Sequence, residues 1–148
     1  MTMRLDRTFL GIDYGTRRIG VAKSDLSGMI ASSYTVLTVK SVEDAVKQLS
    51  QLIGDVSPDG IVFGYPLHQS GEVSKACLEI DKFILKLQES ISAPIHRFDE
   101  SYTSEDAHDV IHAHGKKVGQ DKKRIDAIAA VIILQRFLDE QAFHSGNE

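Results

Sequence analysis

The fold expected for this chain is decided by the stretch LGIDYGTRRIGVA, residues 10–22. An apolar run ends at Asp13, and a second apolar run follows a Gly-Thr turn, which is the pattern of a β-hairpin. Within the turn we expect backbone strain to be greatest at Gly15. Asp13 then has three interpretations: an ordinary turn residue, part of a phosphate-cradling hairpin, or one ligand of a catalytic metal site.

Outside the hairpin, the pattern of apolar residues predicts alternating helices and short strands. Ser41 with Asp44 resembles a capping box at the start of a helix, and Gly54 is a natural stop for that helix. The predicted order is strands over 7–13, 18–24 and 29–39, the first helix, a strand over 60–64, a second helix, a strand over 95–98, a short helix over 103–115, a polar and basic connection over 116–124, and a last helix from about 124 to 141.

This order of elements predicts an α/β fold. The first three strands form an antiparallel meander, and right-handed crossovers bring the fourth strand beside the first and the fifth beside the fourth. The expected architecture is a mixed five-stranded sheet, an antiparallel meander plus parallel strands, flanked by helices. At 148 residues we expect a single domain over 1–148.

Composition excludes several classes of protein. No apolar run approaches the ~20 residues of a membrane span, and we see no signal peptide, so we expect a cytoplasmic protein with no membrane partner. The one cysteine, Cys77, cannot form an internal disulfide and fits a reducing compartment. A net charge of −4 argues against a protein that coats nucleic acid nonspecifically.

Acidic residues are expected to meet at one edge of the sheet. Asp13 ends the first strand, Asp99 and Glu100 follow the fifth, and Asp126 begins the last helix. Each acid alone is explained by a turn, a solvated loop or a helix start. Together, like charges repel, and a hard divalent cation relieves that repulsion. Two such ions ~3.5–4 Å apart can activate water and stabilise a leaving oxygen in phosphodiester cleavage.

Four motifs in order along nearly the whole chain resemble those of the YqgF family: FLGIDYGTRRIGVAKSD, GYPLHQSG, DESYTS and KKRIDAIAAVIIL. These bacterial proteins have an RNase H-like fold and are described as Holliday junction resolvases and as nucleases of pre-16S rRNA processing. The resemblance implies Asp13, Glu100 and Asp126 as the catalytic, metal-binding acids. It implies Mg²⁺ or Mn²⁺ as cofactor, as one ion or two, bound at rest or only with substrate.

The chain departs from the family pattern in two places. Ser101 stands where the family has arginine, and Tyr65 and His68 depart from the family's Gly-Leu-Pro-Leu-Asn. Both changes bear on substrate affinity more than on metal binding. Gly64 would let Glu100 reach across toward Asp13. We count as site-shaping residues Gly15, Thr16, Gly64, Pro66 and Asp99.

A basic segment precedes Asp126. Residues 115–124 carry a local net charge of +4. Cations beside a metal site would hold a nucleic-acid backbone, whereas a solvated loop is the usual place of a charge run. The candidate nucleic-acid-binding residues are Lys116, Lys117, Lys122, Lys123 and Arg124, with Arg17 and Arg18 of the hairpin as weaker candidates.

Three classes of function remain. The first is a metal-dependent endonuclease that processes the 5′ end of pre-16S rRNA on ribosomal precursor particles, or that resolves four-way DNA junctions in recombination, for which a homodimer would supply symmetry. The second is a phosphotransferase or nucleotide-binding module, because D-x-G-T after a strand resembles a phosphate-binding hairpin. The third is a noncatalytic nucleic-acid-binding protein, an option that Ser101 keeps open.

Overall fold

A five-stranded mixed sheet organises the chain. The computed structural model describes residues 7–66, 74–99 and 118–146. The strands are β1 (Phe9–Asp13), β2 (Arg18–Ser24), β3 (Ala31–Thr38), β4 (Gly60–Tyr65) and β5 (Ile95–Asp99). The helices in these ranges are α1 (Val42–Val56), α2 (Lys75–Leu87) and α3 (Val118–Gly146).

The strand order β3-β2-β1-β4-β5 confirms the predicted topology. β1 pairs antiparallel with β2 and parallel with β4, while β4 pairs parallel with β5. The carboxyl ends of β1, β4 and β5 therefore lie along one edge of the sheet, with β1 as the strand at which the direction of pairing changes.

The two faces of the sheet bury different helices. Leu10 and Ile12 of β1 lie in a core cluster with apolar residues of α1 and α2. On the opposite face, Ala22 and Val62 pack with α3 residues, including Leu134. Because side chains alternate along a strand, Gly11 and Asp13 belong to the α3 face.

Two glycines let α3 lie close to the sheet. A Cβ on Gly11 would lie 2.6 Å from the Leu134 Cβ and 3.0 Å from the Ala130 carbonyl oxygen. A Cβ on Gly20 would overlap the carbonyl oxygen of Asp126. Gly20 is also the cross-strand partner of Asp13. The close approach at Gly20 therefore places the Asp126 turn of α3 beside the end of β1.

Helix α1 confirms its predicted start and corrects its predicted end. The Ser41 hydroxyl accepts a hydrogen bond from the Asp44 N–H at 3.0 Å, which caps the helix. The helix passes through Gly54 and ends at Val56. Its terminus is closed by Ser57, whose φ of 51° is left-handed and whose N–H donates to the Ile53 carbonyl.

Helix α3 begins earlier than predicted. Residues 118–124 form its first turns, so the predicted connection over 116–124 is wrong from Val118 onward. A run of Lys, Gln and Arg suits an exposed helix as well as a loop, and polarity alone does not separate the two. The short helix predicted over 103–115 lies outside the described residues. Across the described ranges, no helix is both long and apolar enough to span a membrane.

Candidate active site

Asp13 is a partly buried acid at the carboxyl end of β1. Antiparallel pairing with Gly20 fixes its backbone, and its side chain belongs to the face that α3 covers. Burial, and secondarily the negative charge of Asp126, raise the pKa of the Asp13 carboxyl from 3.8 to about 7. Near neutral pH, Asp13 therefore lies close to the midpoint between its charged and neutral forms.

Asp126 reaches the same edge from α3. Its Oδ2 accepts a hydrogen bond from Nε of Arg18, the first residue of β2, at 2.8 Å. The side chains of this ion pair are 29% and 20% exposed, respectively, for Arg18 and Asp126. The bond is thus partly shielded from water, and it fixes the Asp126 carboxylate over the sheet.

The two acids form a donor set that fits a divalent cation. Their oxygens are the ligand type that Mg²⁺ and Mn²⁺ prefer, and a cation between them would favour ionised Asp13 over the neutral acid. The Arg18 bond engages one oxygen of Asp126. Among the described residues no group of three or more His, Cys, Asp or Glu could hold a metal ion. Glu100, the third predicted acid, lies outside those residues.

The ends of β4 and β5 lie farther along the same edge. Gly64 is buried and pairs with Phe98, and Tyr65 pairs with Asp99, which is exposed. The Pro66 carbonyl accepts a hydrogen bond from the Ser74 hydroxyl at 2.8 Å, which ties the end of β4 to the start of α2. The predicted reach of Glu100 across Gly64 falls outside the described residues, as do Ser101 and His68.

The β1–β2 turn differs from its prediction at Gly15. Gly15 does not have the positive φ of a strained left-handed position, which among the described glycines only Gly28 adopts. A Cβ on Gly15 would instead lie 2.6 Å from the carbonyl oxygen of Arg18. Gly15 is therefore required by the close return of the backbone, and Thr16 beside it is exposed.

The structure describes most of the predicted nucleic-acid-binding residues. Lys122, Lys123 and Arg124 are exposed on the first turns of α3, directly before Asp126, and Arg17 is exposed in the β1–β2 turn. Arg17 and Lys123 line the same surface cavity, although 106 positions separate them in the chain. The remaining two, Lys116 and Lys117, lie outside the described residues.

The positioning roles of two residues in this site were not predicted from the sequence. Gly20 sets how closely α3 approaches Asp13, and Arg18 holds the Asp126 carboxylate. A glycine inside an otherwise apolar strand signals a close backbone approach, so Gly11 and Gly20 carried a usable signal. Arg18 had none, because its partner is 108 positions away.

The strand order β3-β2-β1-β4-β5, with helices on both faces of the sheet, is that of an RNase H-like fold. The chain superposes on a structure described as "T. thermophilus RuvC in complex with Holliday junction substrate" with a TM-score of 0.57 at 12% identity, covering 92% of this chain and 96% of that one. Fowlpox virus resolvase with Holliday junction DNA gives 0.58 at 9% identity, covering 90% and 98%. These likenesses show the fold.

The chain belongs to the RuvX family, which is the YqgF family that its four motifs resemble. The family model, described as "RuvX: Holliday junction resolvase", matches residues 7–140. A Chloroflexus aggregans relative named "Putative pre-16S rRNA nuclease" is 37% identical over 134 residues, covering 90% of this chain and 94% of the relative. A Mycoplasmopsis synoviae protein of the same name is 36% identical, covering 88% and 96%. The predicted family and the nuclease class are thereby confirmed.

Proposed function

We propose that this chain is a metal-dependent endonuclease in which Asp13 and Asp126, together with Glu100, hold one or two Mg²⁺ or Mn²⁺ ions. The observation that carries the proposal is the meeting of Asp13 and Asp126 at the sheet edge, where burial and the charge of Asp126 raise the pKa of Asp13 and so oppose its ionisation. A structural role alone would be served by an uncharged pair. An acid pair maintained at a cost fits a site that receives a cation.

The chain's own residues define what such a site does. Bound divalent ions supply Lewis acidity for attack of water on phosphorus and for departure of the ester oxygen. Arg18 fixes the orientation of Asp126 through its 2.8 Å bond, and Gly20 fixes the separation of α3 from Asp13. The arrangement is therefore set by the sheet and helix rather than by a loop.

The basic residues are proposed to hold the substrate backbone. Lys122, Lys123 and Arg124 are exposed on the helix that carries Asp126. Phosphate contacts position a nucleic acid without reading its sequence, and their contribution weakens as salt rises. Lys116, Lys117 and Arg17 complete the proposed set.

The first proposed substrate is the 5′ leader of pre-16S rRNA, encountered on ribosomal precursor particles in the cytoplasm. It is favoured by the names of relatives that are 33–37% identical over most of this chain. A four-way DNA junction is the second candidate, favoured by the description of the family model and by the junction-bound resolvases of the same fold. That activity would call for a homodimer, which presents two sites with two-fold symmetry.

A cleavage assay tests the proposal. Wild-type protein is incubated with a pre-16S leader fragment or a four-way junction, with Mg²⁺, Mn²⁺ or EDTA. Asp13→Asn is compared with Asp55→Asn, the same change at an exposed position on α1. We expect cleavage to require metal, to be lost in Asp13→Asn and to persist in Asp55→Asn. Cleavage that survives both EDTA and Asp13→Asn would contradict the proposal, and the substrate that is cut decides between RNA and DNA.

A further inference from the structure

A basic cavity of about 620 Å³ adjoins the Arg18–Asp126 ion pair. Three segments that are distant in sequence line it: the β1–β2 turn, the end of β3, and the first turns of α3. Its polar lining consists of Thr16, Arg17, Arg18, Thr38, Lys40 and Lys123. Because Arg18 both lines the cavity and contacts Asp126, the cavity and the candidate active site share a wall.

The sheet register builds this cavity. Arg18 pairs with Thr38 across β2 and β3, and the Val39 N–H donates to the Arg17 carbonyl at 2.9 Å. These backbone bonds place the Lys40 position next to the β1–β2 turn. The cations are therefore brought together by the fold and do not form a single run in the sequence.

The lining carries an excess of positive charge. Among the described residues that line it there are four cations and no Asp or Glu. The charge of Arg18 is balanced by Asp126, which leaves Arg17, Lys40 and Lys123, all exposed. Such a concave, positively charged surface with threonine hydroxyls suits an anion that accepts several hydrogen bonds.

One acid lies near Lys40 outside the cavity lining. Asp44 accepts hydrogen bonds from the Lys40 backbone N–H at 2.9 Å and from the Gln48 amide at 3.0 Å. The hydrogen bonds from the Lys40 N–H and the Gln48 amide lower the pKa of the Asp44 carboxyl, and the Lys40 charge lowers it further. Asp44 therefore offsets part of the Lys40 charge, while its carboxylate is engaged at the start of α1.

We propose that this cavity binds a backbone phosphate of the nucleic-acid strand, next to the position where the strand is cut. The inference rests on the proposed nuclease function for the identity of the ligand. Because Arg18 both lines the cavity and contacts Asp126, the expected ligand of the cavity is a phosphate of the strand that is bound at the candidate active site. Lys40, which lies outside the basic segment 115–124, becomes a substrate contact, and the strand passes over the β1–β2 turn.

The test compares two lysine substitutions. Lys40→Gln removes a lining charge, whereas Lys47→Gln makes the same change at an exposed position on α1 that does not line the cavity. Binding of a labelled single-stranded RNA of about 20 nucleotides is measured in EDTA over a range of KCl concentrations. We expect Lys40→Gln to weaken binding about 3- to 10-fold at low salt and to reduce the salt slope by about 1. Lys47→Gln should bind like wild type.

Two results would overturn the proposal. The first is equal affinity and salt slope in Lys40→Gln and Lys47→Gln, with both variants unfolding at the wild-type temperature. The second is stabilisation of wild type, but not of Lys40→Gln, by inorganic phosphate at constant ionic strength, with RNA affinity unchanged in the variant. That result would identify a free-anion site.

This experiment is independent of cleavage. If wild type cuts no substrate but Lys40→Gln still weakens RNA binding, the nuclease proposal fails and the cavity remains a phosphate site. If wild type cuts its substrate while Lys40→Gln and Lys47→Gln bind alike, the nuclease proposal stands and the cavity proposal fails.

Discussion

Replacing Asp13 by asparagine is expected to stabilise the metal-free protein at alkaline pH. The pKa of Asp13 rises from 3.8 to about 7 on folding, so between these values the native state keeps a proton that the unfolded chain has lost. Stability then falls as pH rises through this window. The complete rise corresponds to about 4 kcal/mol at ~1.4 kcal/mol per pKa unit. About 2–3 kcal/mol of it falls between about pH 5 and pH 7.

The measurement is urea or thermal unfolding in EDTA at about pH 5 and about pH 8.5. The asparagine side chain carries no charge at either pH, so the stability of Asp13→Asn relative to wild type should increase by about 2–3 kcal/mol between the two conditions, or about 5–10 °C in Tm. Asp55→Asn, at an exposed site, controls for the general effect of removing an acid. A relative stability that is the same at both pH values would refute the electrostatic account of Asp13.

A metal titration extends the same experiment to the proposed cation. Mg²⁺ that binds the folded state raises its stability through linkage, and it favours ionised Asp13 over the neutral acid. We therefore expect Mg²⁺ to recover stability at about pH 8.5 in wild type and to have a smaller effect on Asp13→Asn. Equal stabilisation of both proteins would show that Asp13 is not a ligand.

Two further substitutions test the surroundings of Asp13. Gly20→Ala should cost about 1–3 kcal/mol of unfolding free energy, because the new Cβ overlaps the Asp126 carbonyl. Gly54→Ala in α1, where a Cβ meets nothing within 4 Å, should instead stabilise the protein by about 0.5–1 kcal/mol. A Gly54→Ala protein that is less stable to urea than Gly20→Ala would contradict the close-approach argument. Arg18→Gln removes the guanidinium that fixes the Asp126 carboxylate, so Mg²⁺ should raise the Tm of the variant less than that of wild type. An equal or larger rise would count against this positioning role of Arg18.

The sheet was predictable because its signals are local or follow general rules. Alternating and apolar runs located the five strands, and the preference for right-handed crossovers gave the order β3-β2-β1-β4-β5. The helix ends were less predictable. Helix α1 can continue through Gly54, because an interior glycine costs a helix only about 1 kcal/mol. The basic residues after Val118 suit a helix or a loop equally, so the start of α3 was not predictable from them.

The candidate site was predictable in its acids and not in their partners. Asp13 stands at a strand end that the topology identifies, and Asp126 was expected to project from a helix packed across the sheet. The ion pair of Arg18 with Asp126 and the placement of Lys40 beside the β1–β2 turn depend on register and on helix docking. Neither is encoded by spacing along the chain, because the partners come from separate segments.

The electrostatics of this edge favour a functional site over a structural part of the core. Asp13 is placed where burial and the charge of Asp126 both oppose its ionisation, and only one of the two acids has an observed arginine partner among the described residues. An asparagine in place of Asp13 would avoid this cost. Proteins retain such costs where activity requires them, and a bound cation removes the cost that the metal-free state carries. In the proposed nuclease, the excess positive charge of the adjoining cavity would attract a phosphodiester toward acids that would otherwise repel it.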